Sequence, residues 1–553
     1  MGPGGQTARD PPRAVRRGRG AREDRGGRPA AVPRRAPGRR PLRTGLTRSL
    51  PTALGSALPA ALLAIAAGVA LALAYPRTDW AGTAWVAVAP VLLLATTRPP
   101  RAAFGWGWLA GFAFFLLLLR WLNFTFDVYS AIPWPLTWAP TGALAGYCGL
   151  YIGLVAGAVS WVAARRGPGL ALAAAPCFWV AAEWVRGRLM GGFPWGHLGY
   201  SQHGQLAVIQ IAELAGVDAV AFVVCAVNAA LAGCLVLSRG RAAAGLAAAA
   251  VLVAGTVGFG LARLAEPEPP PEATVALMQP AIEQPLKWNE SHTASTLRIY
   301  GELTRAAARL GPALIVWPET ASPTLLRRDD TLQEALRELA RTAGVALLVG
   351  SIDVLDAGGR DVRNTAFLLT DQGIAGRYDK IHLVPFGEYV PLSSIIGFVR
   401  GWAQFISELT PGSRAVVFSG PPAPFGVVIC YEGIFPALVR RFVQGGARLV
   451  VNMTNDAWFG RTSGPLQHLA MYPFRAIEHR TALVRAANTG VSAFIDPRGR
   501  IVSSLGLYER GILSRAIPLR RGETLYTRFG DWLAGASGVV AGLALAAAAR
   551  GRA

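Results

Sequence analysis

The sequence predicts a polytopic α-helical membrane domain of about eight spans, joined to an α/β domain outside the cytoplasm. Three observations lead there. Hydrophobic residues make up 52% of the 553-residue chain, more than an ordinary soluble protein carries. Apolar runs of bilayer-crossing length, about 20 residues within a working range of roughly 17 to 25, crowd into residues 51–265 and return once at 529–553. Between them, residues 271–521 alternate short β-rich apolar stretches with amphipathic stretches of helical spacing, the pattern of an α/β fold.

Residues 1–50 stand apart. Positions 1–48 hold 14 Arg against Asp10, Glu23 and Asp24, which is half of the chain's net charge of +22, and they show no apolar periodicity. The tract reads as a disordered cytoplasmic tail able to touch anionic head groups. No aromatic residue is interleaved with its arginines, so no nucleic-acid partner is expected. The first apolar run starts late and leads into further spans, so no cleavable signal peptide is expected. The spans follow at 54–74, 83–97, 103–119, 138–163, 169–185, 206–237, 242–261 and 532–549. Pro90 interrupts the second. The sixth carries Glu213 and Asp218, so its crossing portion begins later in the run.

Arginine placement sets the orientation. With the basic tail in the cytoplasm, the cytoplasmic connections carry Arg98, Arg101, Arg165, Arg166, Arg239, Arg241, Arg550 and Arg552. The outer connections carry only Arg77, Arg120, Arg186 and Arg188. Seven crossings then place residues 271–521 outside the cytoplasm. Within that segment, 273–278, 313–316, 345–350, 425–429 and 449–453 read as buried strands, and 331–343 and 467–480 as helices.

The chemistry starts from an imbalance among the cations. Of the 55 Lys and Arg positions, only Lys287 and Lys380 are lysine. A compact ammonium fits a tight pocket that a planar guanidinium does not. Lys380 lies in Tyr378-Asp379-Lys380-Ile381-His382, upstream stands Trp317-Pro318-Glu319, and downstream stands Ile429-Cys430-Tyr431-Glu432. Cys148, Cys177, Cys225 and Cys234 sit in apolar runs, where a thiol packs as a small hydrophobe. Cys430 is the one cysteine of the outer domain, so it is either buried filler or a nucleophile. Its place directly after an apolar strand favours the nucleophile, because a turn there exposes the side chain and aims the Tyr431 N–H at a reacting carbonyl.

Such chemistry needs three roles. The thiol must lose its proton to become reactive. Glu319 is placed to accept it, its basicity lifted by the apolar Trp317 and Pro318. Lys380 and the backbone N–H after the cysteine supply positive charge to a developing oxyanion. The six histidines show no metal-ligand spacing, so no metal and no cofactor are expected.

With their flanks, these residues resemble the Glu-Lys-Cys triad of the nitrilase (carbon–nitrogen hydrolase) superfamily. The resemblance is closer to its membrane branch, the apolipoprotein N-acyltransferases of the bacterial inner membrane. It is carried by Gly192-Phe193-Pro194-Trp195, Gly199-Tyr200-Ser201-Gln202, Val275-Ala276-Leu277-Met278-Gln279-Pro280, Leu286-Lys287-Trp288, Asn455-Asp456-Ala457-Trp458-Phe459-Gly460 and Arg485-Ala486-Ala487-Asn488-Thr489-Gly490. The Phe193 loop separates this branch from soluble nitrilases. A departure is Gly196-His197, where a bulky apolar residue is expected.

The resemblance implies an αββα sandwich on an eight-helix membrane base, with Glu319, Lys380 and Cys430 catalytic. It implies a phospholipid acyl donor, a diacylated apolipoprotein acceptor, surrounding membrane lipids and a monomer. Inside the matching segments, Glu388 is expected to hydrogen-bond near Lys380, Tyr431 and Glu432 to support the loop after the nucleophile, and Trp288 to bind substrate at the lipid entrance. His382 receives no task beyond structure. A membrane-tethered amidase or nitrilase acting on small extracytoplasmic substrates would carry the same triad, although tethering needs only one span. A transporter would place ionisable residues inside several spans; only Glu183, Glu213 and Asp218 occur, each near a span end.

Overall fold

The computed structural model describes residues 56–287, 289–391 and 408–550. The Arg-rich tail and Trp288 lie outside the described residues.

The membrane part comprises α1 (Ala57–Ala72), α2 (Ala89–Thr97), α3 (Pro100–Leu118), α4 (Trp138–Arg166), α5 (Pro168–Arg186), α6 (Val217–Val236), α7 (Arg239–Ala265) and a C-terminal helix, Trp532–Arg550. Among the described residues six helices, α3 to α7 and the C-terminal one, are long and apolar enough to cross a bilayer. The count is therefore about six rather than the eight expected. The described part of α1 is 16 residues, about 24 Å at 1.5 Å per residue, short of a hydrocarbon core of about 30 Å. The second run breaks before α2, which has a proline in its first turn. Asn228 of α6 patches that break: its Oδ1 accepts from Val88 N at 2.9 Å and Ala89 N at 2.8 Å, and its Nδ2 donates to Ala84 O at 2.9 Å. The sixth run splits into turns at Leu206–Ile209 and Ala212–Ala215 before α6 begins.

Lipid offers no hydrophobic drive between helices, so close backbone packing holds them together. Gly107 and Gly111 of α3 face Gly149 and Gly153 of α4, two small-xxx-small pairs. A Cβ on Gly111 would lie 2.8 Å from Gly149 Cα, and one on Gly107 2.9 Å from Ile152 O.

Among the described residues twelve strands build the outer domain: β1 (Ala273–Gln279), β2 (Leu314–Val316), β3 (Ala346–Val354), β4 (Val362–Thr370), β5 (Gly373–Asp379), β6 (Val417–Phe418), β7 (Phe425–Ile429), β8 (Leu449–Thr454), β9 (Leu483–Ala487), β10 (Ala493–Ile495), β11 (Ile501–Ser504) and β12 (Gly511–Ile517). They form two six-stranded sheets, ordered β12-β1-β2-β3-β4-β5 and β11-β10-β9-β8-β7-β6. Pairing is parallel across β1-β2-β3 and β7-β8-β9 and antiparallel elsewhere.

Side chains alternate across a strand, and the two faces of the first sheet bury into different cores. Val275, Leu277, Leu314, Val316 and Leu348 join Val427, Ile429 and Val451 of the second sheet. Their neighbours Ala276, Met278, Ile315, Leu347 and Val349 instead pack with Tyr300 and Ala307 of α8 (Thr293–Ala308) and Leu332, Leu336 and Ala340 of α9 (Asp330–Ala343). On the second sheet, α10 (Pro436–Gln444) contributes Val439 and Phe442 and α11 (Tyr472–His479) contributes Phe474 and Ile477. The result is the four-layer αββα sandwich that the resemblance implies.

The sandwich sits on the helices through buried polar contacts. Gln467 Nε2 donates to Pro76 O at 3.0 Å and Leu118 O at 3.1 Å, while its Oε1 accepts from Trp121 Nε1 at 3.1 Å and Trp195 Nε1 at 2.8 Å. Glu478, paired with Arg475 at 2.6 Å, accepts from Val217 N at the start of α6 at 3.2 Å. Glu213 is shared by Arg263 of α7 and by Arg480 of the sandwich.

Candidate active site

Parallel strands point their carboxyl ends one way, and ligands bind beyond such ends. Glu319 follows β2 and Cys430 follows β7 in this manner, and Lys380 follows β5 from the side. Gly350 of β3 lets the chain turn closely at Glu319, because a Cβ there would stand 2.4 Å from Pro318 O. The sequence trio, separated by about sixty and fifty positions, is brought to one place.

The Glu319 carboxylate is held by three donors. Lys380 Nζ lies 3.1 Å and Asn364 Nδ2 2.8 Å from Oε1, and Asn455 N lies 2.9 Å from Oε2. Lys380 Nζ also lies 2.8 Å from Glu388 Oε1, whose other oxygen accepts from Val384 N at 2.8 Å. Asn364 Nδ2 reaches Glu388 as well, at 3.3 Å. Lys380 is 1% exposed. Burial opposes its charge, but Glu319 and Glu388 outweigh that and raise its pKa well above the ordinary value.

Cys430 adopts a left-handed backbone, φ +52°, between β7 and a 3₁₀ turn, Cys430–Ile434. A non-glycine residue there costs roughly 1–2 kcal/mol, and such strain clusters at functional sites. Its carbonyl accepts from Tyr472 Oη at 3.1 Å. Burial first, then the Glu319 charge, push its thiol pKa up, while Lys380 and a Thr454 hydrogen bond pull it down. At neutral pH the resting group is therefore a thiol.

Glu432 ties the strand ends together. Its Oε1 accepts from Tyr378 Oη at 2.7 Å, Ile381 N at 2.6 Å and His382 N at 3.0 Å, and its Oε2 accepts from Ile429 N at 2.7 Å. One carboxylate thus braces the segments that carry Lys380 and Cys430. Burial lifts its pKa to about 7 against those hydrogen bonds. Tyr431 Oη donates to Gly192 O at 3.1 Å, His382 Nε2 contacts Gly191 O at 2.6 Å, and the His382 ring stacks on Phe435 with centroids 3.7 Å apart. Arg186 fixes the same loop by donating to Phe193 O at 2.7 Å and Trp195 O at 2.6 Å. The Phe193 loop of the membrane half is therefore fastened beside the residues that follow Lys380 and Cys430. His197 is buried.

Several contributors were not foreseen. Asn364 bridges the two carboxylates from mid-strand β4, where sequence alone shows an ordinary polar residue. Asp456, His468, Arg485 and Tyr472 form a buried cluster behind Cys430 (Asp456 to Arg485 2.7 Å, to His468 3.0 Å). Burial raises the Asp456 carboxyl, but Arg485 and His468 prevail and hold it well below the usual range. Trp317, expected to cover Glu319, packs into the outer core, stacked on Tyr300 at 4.3 Å. Among the described residues no group of three His, Cys, Asp or Glu is arranged to hold a metal ion.

The carbon–nitrogen hydrolase family model matches residues 274–526, and the apolipoprotein N-acyltransferase N-terminal domain model matches residues 67–230. An apolipoprotein N-acyltransferase of Geobacter metallireducens is 39% identical over 87% of this chain and 93% of its own. Those of Caulobacter vibrioides and Gloeobacter violaceus are 35% and 34% identical, over 78% and 87% of this chain and 84% and 92% of their own. Among solved structures, an amidase from Nesterenkonia sp. aligns at TM-score 0.35 and 22% identity over 45% of this chain and 91% of its own. Saccharomyces cerevisiae Nit3, of branch 10 of the nitrilase superfamily, aligns at TM-score 0.35 and 21% identity over 45% and 92%. With both halves matched and relatives aligned over nearly their full length, the chain belongs to the apolipoprotein N-acyltransferases, multi-pass membrane enzymes of the carbon–nitrogen hydrolase family.

Proposed function

We propose that the chain moves a fatty acyl group from a membrane phospholipid to the N-terminal amine of a diacylglyceryl-cysteine lipoprotein, through a thioester on Cys430. One observation carries the reading: a buried Lys380–Glu319 pair, 3.1 Å apart, and the buried Cys430 stand at strand ends fastened to a membrane-domain loop.

Glu319 takes the Cys430 proton, and the thiolate attacks the ester carbonyl carbon of the phospholipid. Lys380 and the Tyr431 N–H stabilise the oxyanion. The carbon–oxygen bond breaks, and the lysophospholipid alkoxide leaves with the proton from Glu319. In the second half, the lipoprotein amine attacks the thioester carbonyl and gives a proton to Glu319. The carbon–sulfur bond breaks, and the proton returns to sulfur. An activated thioester gives a stable amide. Excluding water separates this enzyme from a lipase.

Charge supports a sidedness. Arg166 Nε donates to Ala547 O near the end of the C-terminal helix, and Ser160 Oγ donates to Arg98 O. These arginine-bearing ends gather away from the sandwich, whose contacts lie at Trp121, Glu213 and Val217. The positive-inside rule then supports a catalytic domain on the extracytoplasmic face of a bacterial inner membrane.

The test uses purified enzyme, phospholipid and a diacylglyceryl-cysteine peptide. A peptide gaining one acyl group on its amine, with lysophospholipid in equal amount, supports the reading. Free fatty acid alone, or ammonia from small amides with an unmodified peptide, contradicts it.

A further inference from the structure

The chain's other lysine is buried beside the first. Lys287 is 3% exposed and ends a single helical turn, Gln284–Lys287. Its Nζ lies 2.8 Å from the main-chain carbonyl of Glu319 and 2.6 Å from Thr320 Oγ1. Thr320 is itself left-handed, φ +44°, a conformation that neighbours must hold in place. The same turn reaches Glu319 from its other end: Gln284 Oε1 accepts from Asn455 Nδ2 at 2.7 Å, and Asn455 N donates to the Glu319 carboxylate. Fifty-five cationic positions include two lysines, and both contact one glutamate.

We propose that Lys287 is a positioning residue for Glu319, clamping the Glu319–Thr320 turn and supplying the second cation of a site that holds two carboxylates. With Lys380 alone, Glu319 and Glu388 leave the pocket a net negative charge, which opposes thiolate formation at Cys430. A second ammonium cancels it. Lys287 Nζ meets the Glu319 carbonyl and Thr320, and its charge is coupled to Glu319 after β2 and Cys430 after β7; Lys380 pairs with the same Glu319 and with Glu388. Burial lowers its pKa to about 7, while Glu319 and Cys430 pull it up, so its charge is present in acid and fades above neutrality. Donation to the carbonyl survives in either form.

The inference rests on Glu319 and Cys430 working as proposed above, so its test carries a readout independent of acyl transfer. Full-length Lys287→Met and Lys287→Gln are placed in phospholipid nanodiscs. Iodoacetamide alkylation of Cys430, followed on its peptide by mass spectrometry, gives a thiolate profile whatever the acyl donor. Both variants are expected to melt close to wild type and to be alkylated about threefold or more slowly below pH 7, where Lys287 carries its charge, with the difference closing above about pH 8.5. Single-turnover acylation is expected to slow about 100-fold at pH 6.5 and about tenfold at pH 8.5 in Lys287→Met, and less in Lys287→Gln, which keeps a donor. An unchanged alkylation profile overturns the proposal, as does loss of the fold in both variants, which would assign Lys287 to the core. A changed profile in an enzyme that never acylates Cys430 keeps Lys287 in place and rejects the acyl-transfer reading instead.

Discussion

The Lys380 ammonium lies 2.8 Å from Glu388 Oε1, nearer than the 3.1 Å to Glu319. One cation thus serves two carboxylates, and Glu388 limits how far it can swing toward either. Glu388→Gln keeps the shape and removes the charge. It is expected to slow thioester formation about 10- to 100-fold while costing only about 1–3 kcal/mol of stability. Single-turnover kinetics beside thermal melts check the split.

Glu319 acts in two opposed ways on Cys430. Its charge raises the thiol pKa, yet it is the proposed proton acceptor. Glu319→Gln should therefore make Cys430 alkylate faster with iodoacetamide at pH 8, while acyl transfer falls about 10²- to 10⁴-fold. Matched alkylation and transfer assays at one pH measure both. A fall in both together would remove Glu319 from the base role.

Glu432 gives a stability signature. Its folded pKa is about 7, above the ordinary carboxyl value of about 4.3. Between those values the native state binds the proton more tightly than the unfolded chain, so stability falls as pH rises and the penalty is complete above pH 7. Glu432→Gln removes that slope. It also sets an amide N–H₂ against donors, leaving at least one of the four unmatched at about 1–3 kcal/mol. Thermal melts from pH 5 to 8 should show the difference between wild type and variant narrowing toward high pH.

Gln467 is the polar joint between the two halves. Gln467→Leu orphans two indole N–H groups and two carbonyls in buried surroundings. The expected loss is several kcal/mol, with faster limited proteolysis at the Phe193 loop. Unchanged proteolysis would mean that the joint is held elsewhere.

Glu319 and Cys430 were legible because each stands just past an apolar strand, and the ends of parallel strands converge; Lys380, after the antiparallel β5, was legible as one of two lysines among 55 cationic positions. Five strands were readable for the same reason: buried on both faces, they appear as apolar runs. β4, β5, β11 and β12 carry exposed or charged positions such as Arg363, Arg377 and Arg515, so pattern alone passed them over. The segment 467–480 read as one helix but breaks into Gly464–Leu469 and Tyr472–His479, with Pro473 at the second start. Lys287, Asn364 and Asn455 were hidden because their contributions are contacts across the fold. Among the described residues the first two expected spans fall short in length, the second of them broken ahead of Pro90, and hydropathy alone does not fix such ends.

The most direct measurement is intact and peptide mass spectrometry of the enzyme incubated with phospholipid and no acceptor. The account predicts one acyl chain on Cys430, removed by hydroxylamine, absent in Cys430→Ala and slow to form in Glu319→Gln. Active enzyme that turns over with Cys430 never modified would contradict it.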